Sequence, residues 1–349
     1  MSTRERWISG GERVGPTAGA SYIFEGLNLS ERDLIRLIGA RARVGRRSAA
    51  VRRPSVLQGI GDDCARLAPQ PGYETLVTTD FTLEGVHFRR EWHPAGSVGH
   101  RTLARGLSDI AAMGGEPLAA FLSLGLPEKL PRRWAEDFLG GFLALARKFG
   151  VELAGGDTAE SPAGILVDVV VVGRVPKGEA VLRSGARPGD GIYVTGELGG
   201  SAAALAELRS GAKPKGKLGA AHFFPVPRVA AGCALREKRL ASAMIDVSDG
   251  LSTDLSHLCE ESGVGALVNE HSVPRPVLPG ASSLHFALHG GDDYELLFTA
   301  PGSASVPAKI AGVRVTRIGE MVKRKGMWLV DSHGQQKTLV ARGWQHFSS

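Results

Sequence analysis

Cysteine is nearly absent: Cys64, Cys233 and Cys259 are the only three in 349 residues, far apart and without a C-x-x-C pair. That excludes a disulfide framework and a cysteine zinc site, and the thiols are expected to stay reduced and packed as small apolar groups. Aromatic residues are scarce at 6%. Purely apolar stretches fall far short of the roughly 20 residues that a membrane span needs. Met1 to Ala20 carries arginines but no apolar h-region, so neither a transmembrane helix nor a secretory signal is expected and the cytoplasm is the default location. Also missing are a G-x-G-x-x-G after a strand, G-x-S-x-G and H-E-x-x-H, which leaves dehydrogenase, α/β-hydrolase and zincin readings without support. Gly211-Ala-Lys-Pro-Lys-Gly216-Lys217-Leu218 approaches a Walker A loop, but Leu218 replaces the Mg²⁺-binding Ser or Thr and Pro214 sits inside it. A lysine-rich surface loop is expected there instead.

What is present is ordinary globular composition, 43% hydrophobic and 22% charged. At roughly 150 residues per domain the length implies two domains. The 47 glycines show no collagen-like period, so they serve turns and close backbone approaches. The net charge of +6 sits wholly in residues 1–53, which hold eleven arginines and five acidic residues; elsewhere 31 basic residues balance 31 acidic ones. No stacking aromatics interleave the Arg41 to Arg53 run, so a solvated leader is expected rather than a nucleic-acid arm.

Along the chain, Ser30, Glu31 and Asp33 precede the apolar face of Leu34, Ile35, Leu37 and Ile38, the signature of a capped helix. A strand is expected at Thr75 to Thr79. Ser97 is expected to cap a helix with Leu103, Leu107 and Ile110 on one face, stopped by Gly114 and Gly115. A second helix spans about Arg132 to Lys148. Strands follow at Val151 to Ala154 and Ile165 to Val172, the latter apolar enough to be expected buried on both faces. Pro, Gly and charge then accumulate between Arg174 and Asp190, a domain boundary. Beyond it, strands are expected at Ile192 to Thr195, Ala243 to Val247, Glu295 to Thr299 and Val313 to Ile318. Helices are expected from about Ser201, near Arg228 to Leu235 and over Leu251 to Glu261. The pattern predicts an α/β (mixed α+β) fold: a leader at 1–23, an N-terminal domain at 24–175 and a C-terminal α/β domain at 176–349.

Chemistry gathers on aspartates at strand ends and in glycine turns: Gly61-Asp62-Asp63, Thr78-Thr79-Asp80, Gly155-Gly156-Asp157, Asp246-Val247-Ser248-Asp249-Gly250 and Gly290-Gly291-Asp292-Asp293. Ser108-Asp109 adds one on a helix, where Asp109 either flanks a cleft or pairs with Arg105. Any one of these is an ordinary turn. Together they are oxygen ligands without His or Cys, suited to Mg²⁺ that shares its shell with substrate phosphates. Backbone N–H groups in such turns, and at the helix start after Asp249-Gly250, can cradle phosphate oxygens.

These segments resemble the thiamine-monophosphate kinase family. The resemblance rests on Gly59-Ile-Gly-Asp-Asp-Cys-Ala65, Thr78-Thr-Asp80 with Glu84-Gly-Val-His-Phe88, Leu107-Ser-Asp-Ile-Ala-Ala-Met-Gly114, Gly155-Gly-Asp157, Asp246-Val-Ser-Asp-Gly250 and Gly290-Gly-Asp-Asp-Tyr-Glu-Leu296. Single elements recur in the wider superfamily that includes aminoimidazole ribonucleotide synthetase and selenophosphate synthetase. Glu84-Gly-Val-His-Phe88 and Gly343-Trp-Gln-His-Phe347 favour the kinase.

The resemblance implies a two-domain aminoimidazole ribonucleotide synthetase-like fold and a homodimer through the N-terminal domains. It implies direct transfer of the ATP γ-phosphate to thiamine monophosphate, yielding thiamine diphosphate and ADP. By motif, Asp63, Thr78, Thr79, Asp80, Asp109, Asp157, Asp246 and Asp249 hold several Mg²⁺ ions; Gly156, Asp157, Arg183 and Ser248 touch ATP; and His87, Asp292 and Trp344 contact thiamine monophosphate. The structural alternatives are a core-capping His87 and a Trp344 that anchors the C-terminus. No catalytic base is assigned, because the acceptor phosphate is already largely ionised near neutral pH. The second reading keeps fold and ATP but changes the acceptor, as in aminoimidazole ribonucleotide synthetase. Two departures stand out: Asp292 where the family usually has Glu, and a longer Arg-rich leader before Tyr22.

Overall fold

The computed structural model describes residues 37–42, 56–58, 65–278 and 282–344. The leader, the capping segment at Ser30, the Gly59 to Cys64 turn with Asp63, and Phe347 lie outside the described residues. Residues 37–42 are helical (α1) and pack Ile38 into the core.

The first half builds a four-stranded sheet after a short antiparallel pair, β1 (Val56–Gln58) and β2 (Arg66–Leu67). The chain runs β3 (Tyr73–Leu83), α2 (Ala95–Ala112), β4 (Glu116–Leu126), α3 (Arg132–Phe149), β5 (Glu152–Glu160) and β6 (Leu166–Pro176), with sheet order β3-β6-β4-β5. Only β4 and β5 run parallel, and α3 is the crossover that such a pair needs. Helices α2 and α3 cover one face. On that face Val167, Val169 and Val171 are fully buried, and each side chain of this size contributes about 1.5–3 kcal/mol on burial.

Among the described residues the other face of this sheet is covered only in part, where Val56 of β1 packs on Ala119 and Ala154, which corrects the reading of Ile165 to Val172 as buried on both sides. Val77 is 66% exposed, Phe81 56% and Leu166 42%, whereas their neighbours one residue along are buried or half-buried. A strand that reads as continuously apolar is here covered by helices on one side only. Ser97 does not cap α2 either. The helix begins directly after Pro94, whose fixed φ suits entry into a helix, and the Ser97 hydroxyl donates to the Pro94 carbonyl (2.7 Å). Strand β4 went unread because Glu116, Pro117, Ser123 and Gly125 interrupt its alternation.

The second half contains β7 (Gly191–Thr195), α4 (Gly200–Arg209), α5 (Gly216–Phe223), α6 (Val229–Glu237), β8 (Ala243–Val247), α7 (Leu251–Ser262), β9 (Gly265–Asn269), α8 (Ser282–His289), β10 (Glu295–Ala300), β11 (Lys309–Ile310), β12 (Val313–Val322), β13 (Gly326–Val330) and β14 (Gln336–Thr338). Its sheet runs β14-β13-β9-β12-β7-β10-β8, with β11 paired to β12. The lysine-rich stretch expected as a loop ends in α5, which starts at Gly216. Strand β8 closes the end of the sheet order, yet all five of its residues are buried, and α2 of the first half packs on it. One continuous core therefore joins Leu103, Leu107 and Ile110 of α2 to Leu235 of α6, Met244 of β8 and Phe298 of β10.

Candidate metal and phosphate site

The α2–β8 contact brings carboxylates from both halves together. Thr78 and Asp80 lie on the inner face of β3, two residues apart and therefore on one side of the strand. Arg101, Arg105 and Asp109 occupy α2 at four-residue spacing, one stripe of the helix, with Ser108 beside them. The Thr78 hydroxyl donates to Asp109, and the Arg105 guanidinium lies 3.6 Å from Asp80. Arg105 thus pairs across to Asp80. From the second half, Asp246 near the end of β8 accepts a hydrogen bond from Ser108 Oγ (2.7 Å).

Three carboxylates so placed cannot all ionise cheaply. Burial, and then the Asp109 charge, push Asp80 up to about 7; burial and the same neighbour push Asp246 up to about 7. Asp109 is raised by burial, against the Thr78 hydroxyl and the Arg183 charge. Arg183, although exposed, is near enough to lower both Asp109 and Asp246. The set is open and made of oxygen. Among the described residues no three of His, Cys, Asp and Glu come together closely enough to hold a metal ion by themselves, so substrate oxygens and water would have to complete any shell. A hard divalent cation that keeps its waters and takes phosphate oxygens fits this chemistry, because it would supply the positive charge that the raised carboxylates lack.

Beside Asp246, the turn Ser248-Asp249-Gly250 opens α7. Its three backbone N–H groups donate to one oxygen of the buried Asp254 (3.1, 3.1 and 3.0 Å). Burial and the charges of Asp246 and Asp249 raise Asp254 well above the usual carboxylate range, against those donors. The turn is clasped from outside by Gly291: a Cβ there would meet the Ser248 carbonyl oxygen at 2.3 Å, so only glycine allows the approach. Asp292 N–H donates to Ser248 O and Tyr294 N–H to Val247 O, both at 2.8 Å.

Asp292 and Tyr294 both adopt left-handed backbone, φ 63° and 52°. Such strain persists only where the surroundings over-determine it. Burial acts to raise the Asp292 carboxyl, but Arg101, Arg105 and the Tyr294 hydroxyl outweigh it and hold it below the usual range. At the C-terminal end, Trp344 N–H donates to Asp249 O (3.0 Å) and Gly343 N–H to Thr253 Oγ1 (3.0 Å), which lays a half-exposed indole beside the same turn.

The remaining candidates stand elsewhere. His87 occupies the turn after β3, its Nδ1 accepting from Leu83 N–H (2.9 Å). Thr79 and Asp157 project from the opposite, open face of the sheet: Asp157 is in register with Ser123, Ser123 with Asp168, and Thr79 Oγ1 donates to Asp168 (2.7 Å). Gly156 precedes Asp157 at φ 151°, and its α-carbon lies so close to β4 that a Cβ would strike the Leu122 carbonyl. The structure therefore gathers Thr78, Asp80, Asp109 and Asp246 inside, with Ser248 and Asp249 adjoining, and leaves Thr79 and Asp157 on the outer face. Sequence reasoning missed Arg101, Ser108, Asp168, Asp254 and Tyr294. The four-residue spacing of Arg101, Arg105 and Asp109 was the available signal.

Two family models match the chain: "AIR synthase related protein, N-terminal domain" over residues 61–175 and "AIR synthase related protein, C-terminal domain" over residues 187–331. The thiamine-monophosphate kinase of Salmonella typhimurium strain LT2 is 38% identical over 312 residues, covering 85% of this chain and 94% of that protein. The crystal structure of thiamine-monophosphate kinase from Stenotrophomonas maltophilia K279a superposes with a TM-score of 0.76 at 37% identity, over 88% of this chain and 98% of that one. A structure described as AaThiL complexed with AMPPCP and TMP gives a TM-score of 0.72 at 30% identity, over 94% of this chain and 100% of that one.

Proposed function

The chain belongs to the thiamine-monophosphate kinase family, and from that membership we propose that it transfers the γ-phosphoryl group of ATP onto the phosphate of thiamine monophosphate, giving thiamine diphosphate and ADP. One observation carries the reading to this molecule: Asp80, Asp109 and Asp246, delivered from β3, α2 and β8, crowd into one partly buried set, next to a glycine-clasped turn at a helix start. A relative that shares the fold over 94% of this chain is described as complexed with AMPPCP and TMP.

In this reading Asp80, Asp109 and Asp246, with the Thr78 hydroxyl, would hold Mg²⁺, with Asp249 adjoining; the family resemblance adds Asp63, which lies outside the described residues. Thr79 and Asp157, on the outer face, stand apart from this set. Bound Mg²⁺ supplies charge neutralisation to phosphates that repel one another, which is most of what phosphoryl transfer requires. The chain's own groups do the placing. Gly156 lets β5 pack against β4 where a Cβ would strike the Leu122 carbonyl, and with Ser248 and Arg183 it is assigned to the nucleotide. His87 and Asp292 orient the acceptor. The Trp344 ring lies against the cationic thiazolium or the pyrimidine, a contact of about 0.5–2 kcal/mol. No side chain needs to remove a proton from an acceptor that is already an anion.

The outer sheet face exposes Val77, Phe81 and Leu166, and we assign it to a homodimer through the N-terminal halves, as the family resemblance implies. A cytoplasmic site suits the use of ATP. The function is tested by supplying purified protein with Mg-ATP and either thiamine, thiamine monophosphate or the aminoimidazole precursor, with an EDTA control. Thiamine diphosphate is expected from the monophosphate alone and only with Mg²⁺; ADP release without a thiamine product would move the activity to another acceptor.

A further inference from the structure

A buried arginine crosses between the halves to reach the acceptor side of the site. Arg101 stands on α2 at 4% exposure, and among the described residues its ion pair is with Asp292, Nη2 to Oδ2 at 2.7 Å. The other Asp292 oxygen accepts from the Tyr294 hydroxyl (2.6 Å). Arg101 Nη1 meanwhile donates to the His222 carbonyl (3.1 Å), and His222 in turn packs Nε2 to Nε2 on His93 (2.9 Å) and lies 2.9 Å from Ser201 Oγ. The guanidinium is fixed at both ends. The carboxylate it holds is nevertheless 34% exposed, so one edge of Asp292 remains open while each oxygen is already tied from behind.

A surface aspartate needs no such apparatus. A charged guanidinium is costly to bury, and the positive φ of Asp292 and Tyr294 adds backbone strain. Both costs are concentrated here on the orientation of one carboxylate. We propose that Arg101 and Tyr294 are positioning residues that present the open edge of Asp292 to the acceptor, so that affinity for thiamine monophosphate depends on a guanidinium supplied by the opposite half of the chain. The inference rests on the kinase reading above. It also removes a simpler idea, that Asp292 attracts the thiazolium through net charge, since the Arg101 charge already compensates it.

The test is a double-mutant comparison of Arg101→Lys, Tyr294→Phe and Asp292→Ala, singly and in pairs, read as kcat and KM for each substrate and as calorimetric binding of thiamine monophosphate. Arg101→Lys keeps the charge but loses the two-ended fork; Tyr294→Phe removes one hydroxyl at nearly constant volume and guards against a fold that fails. Each single change is expected to raise KM for thiamine monophosphate several-fold, with KM for ATP within about twofold, and to add nothing once Asp292 is Ala. Full additivity with Asp292→Ala, or equal rises in both KM values, would overturn the proposal. A wild-type protein that binds thiamine monophosphate without transferring phosphate would instead contradict the kinase reading, and the comparison would still be read from binding.

Discussion

Asp80 and Asp109 carry the heaviest assignment of any single residues. Asp80→Asn or Asp109→Asn removes a ligand and a repulsive charge at once, so turnover is expected to fall on the order of 10²-fold while the melting temperature holds or rises. Unchanged kcat in both variants, measured across a Mg²⁺ titration, would refute the assignment. Protons compete for the same oxygens. Asp80 and Asp246 sit near 7 against an ordinary 3.8, so the native chain holds protons that the unfolded chain releases, and their stabilising contribution is lost as pH rises from 3.8 to about 7. Buried His93 and His222 have the opposite sign. Burial, then Arg101, holds them at about 4 and about 3 against 6.5, so stability is lost as pH falls below 6.5. In the proposed site Mg²⁺ binds the carboxylates and not the histidines, so the rise in melting temperature on adding it is expected to be larger at about pH 8 than at about pH 6, where displacing each proton costs about 1.4 kcal/mol. Equal shifts would argue that Mg²⁺ binds elsewhere. The aspartates were legible as residues because glycine turns and strand ends frame them; their partners were not, since Ser108 and Asp246 are 138 positions apart.

At the scale of elements, α2 and the start of α7 do the positioning. Asp254 in the first turn of α7 gathers three N–H groups of the preceding turn, so Asp254→Ala is expected to cost about 2–4 kcal/mol and to loosen Ser248 and Asp249. Urea unfolding gives the first quantity and KM for ATP the second; a variant with wild-type stability would show that the turn holds itself. Most helices were readable from apolar spacing, α3 to within a residue, because Leu139, Phe142, Leu143 and Ala146 repeat at helical intervals. Strands fared worse. Expected Val151 to Ala154 is really Glu152–Glu160, since its outer residues are glycines and polar side chains that alternate with nothing apolar. Their place in the sheet comes from pairing with β4, which no local pattern encodes.

For the whole molecule, the two halves are joined by a continuous core and by Arg236, which donates to the Gly114 carbonyl (2.8 Å) while Glu179 of its own half pairs with it (2.9 Å). Composition foretold two units but not this shared core, because its contacts link α2 to strands far along the chain. In the proposed homodimer the exposed face of the first sheet is the contact. Phe81→Asp places a charge among its exposed apolar residues, and sedimentation is expected to show dimer in the wild type and monomer in the variant; a wild type that sediments as a monomer would contradict the assignment. The central claim, direct transfer between two bound phosphates, is tested most directly by giving the protein ATP labelled with ¹⁸O in the γ-phosphoryl group, thiamine monophosphate and Mg²⁺, then locating the label. The account predicts label in the terminal phosphate of thiamine diphosphate, with none formed from free thiamine. Label released as inorganic phosphate, with thiamine monophosphate unconsumed, would contradict it.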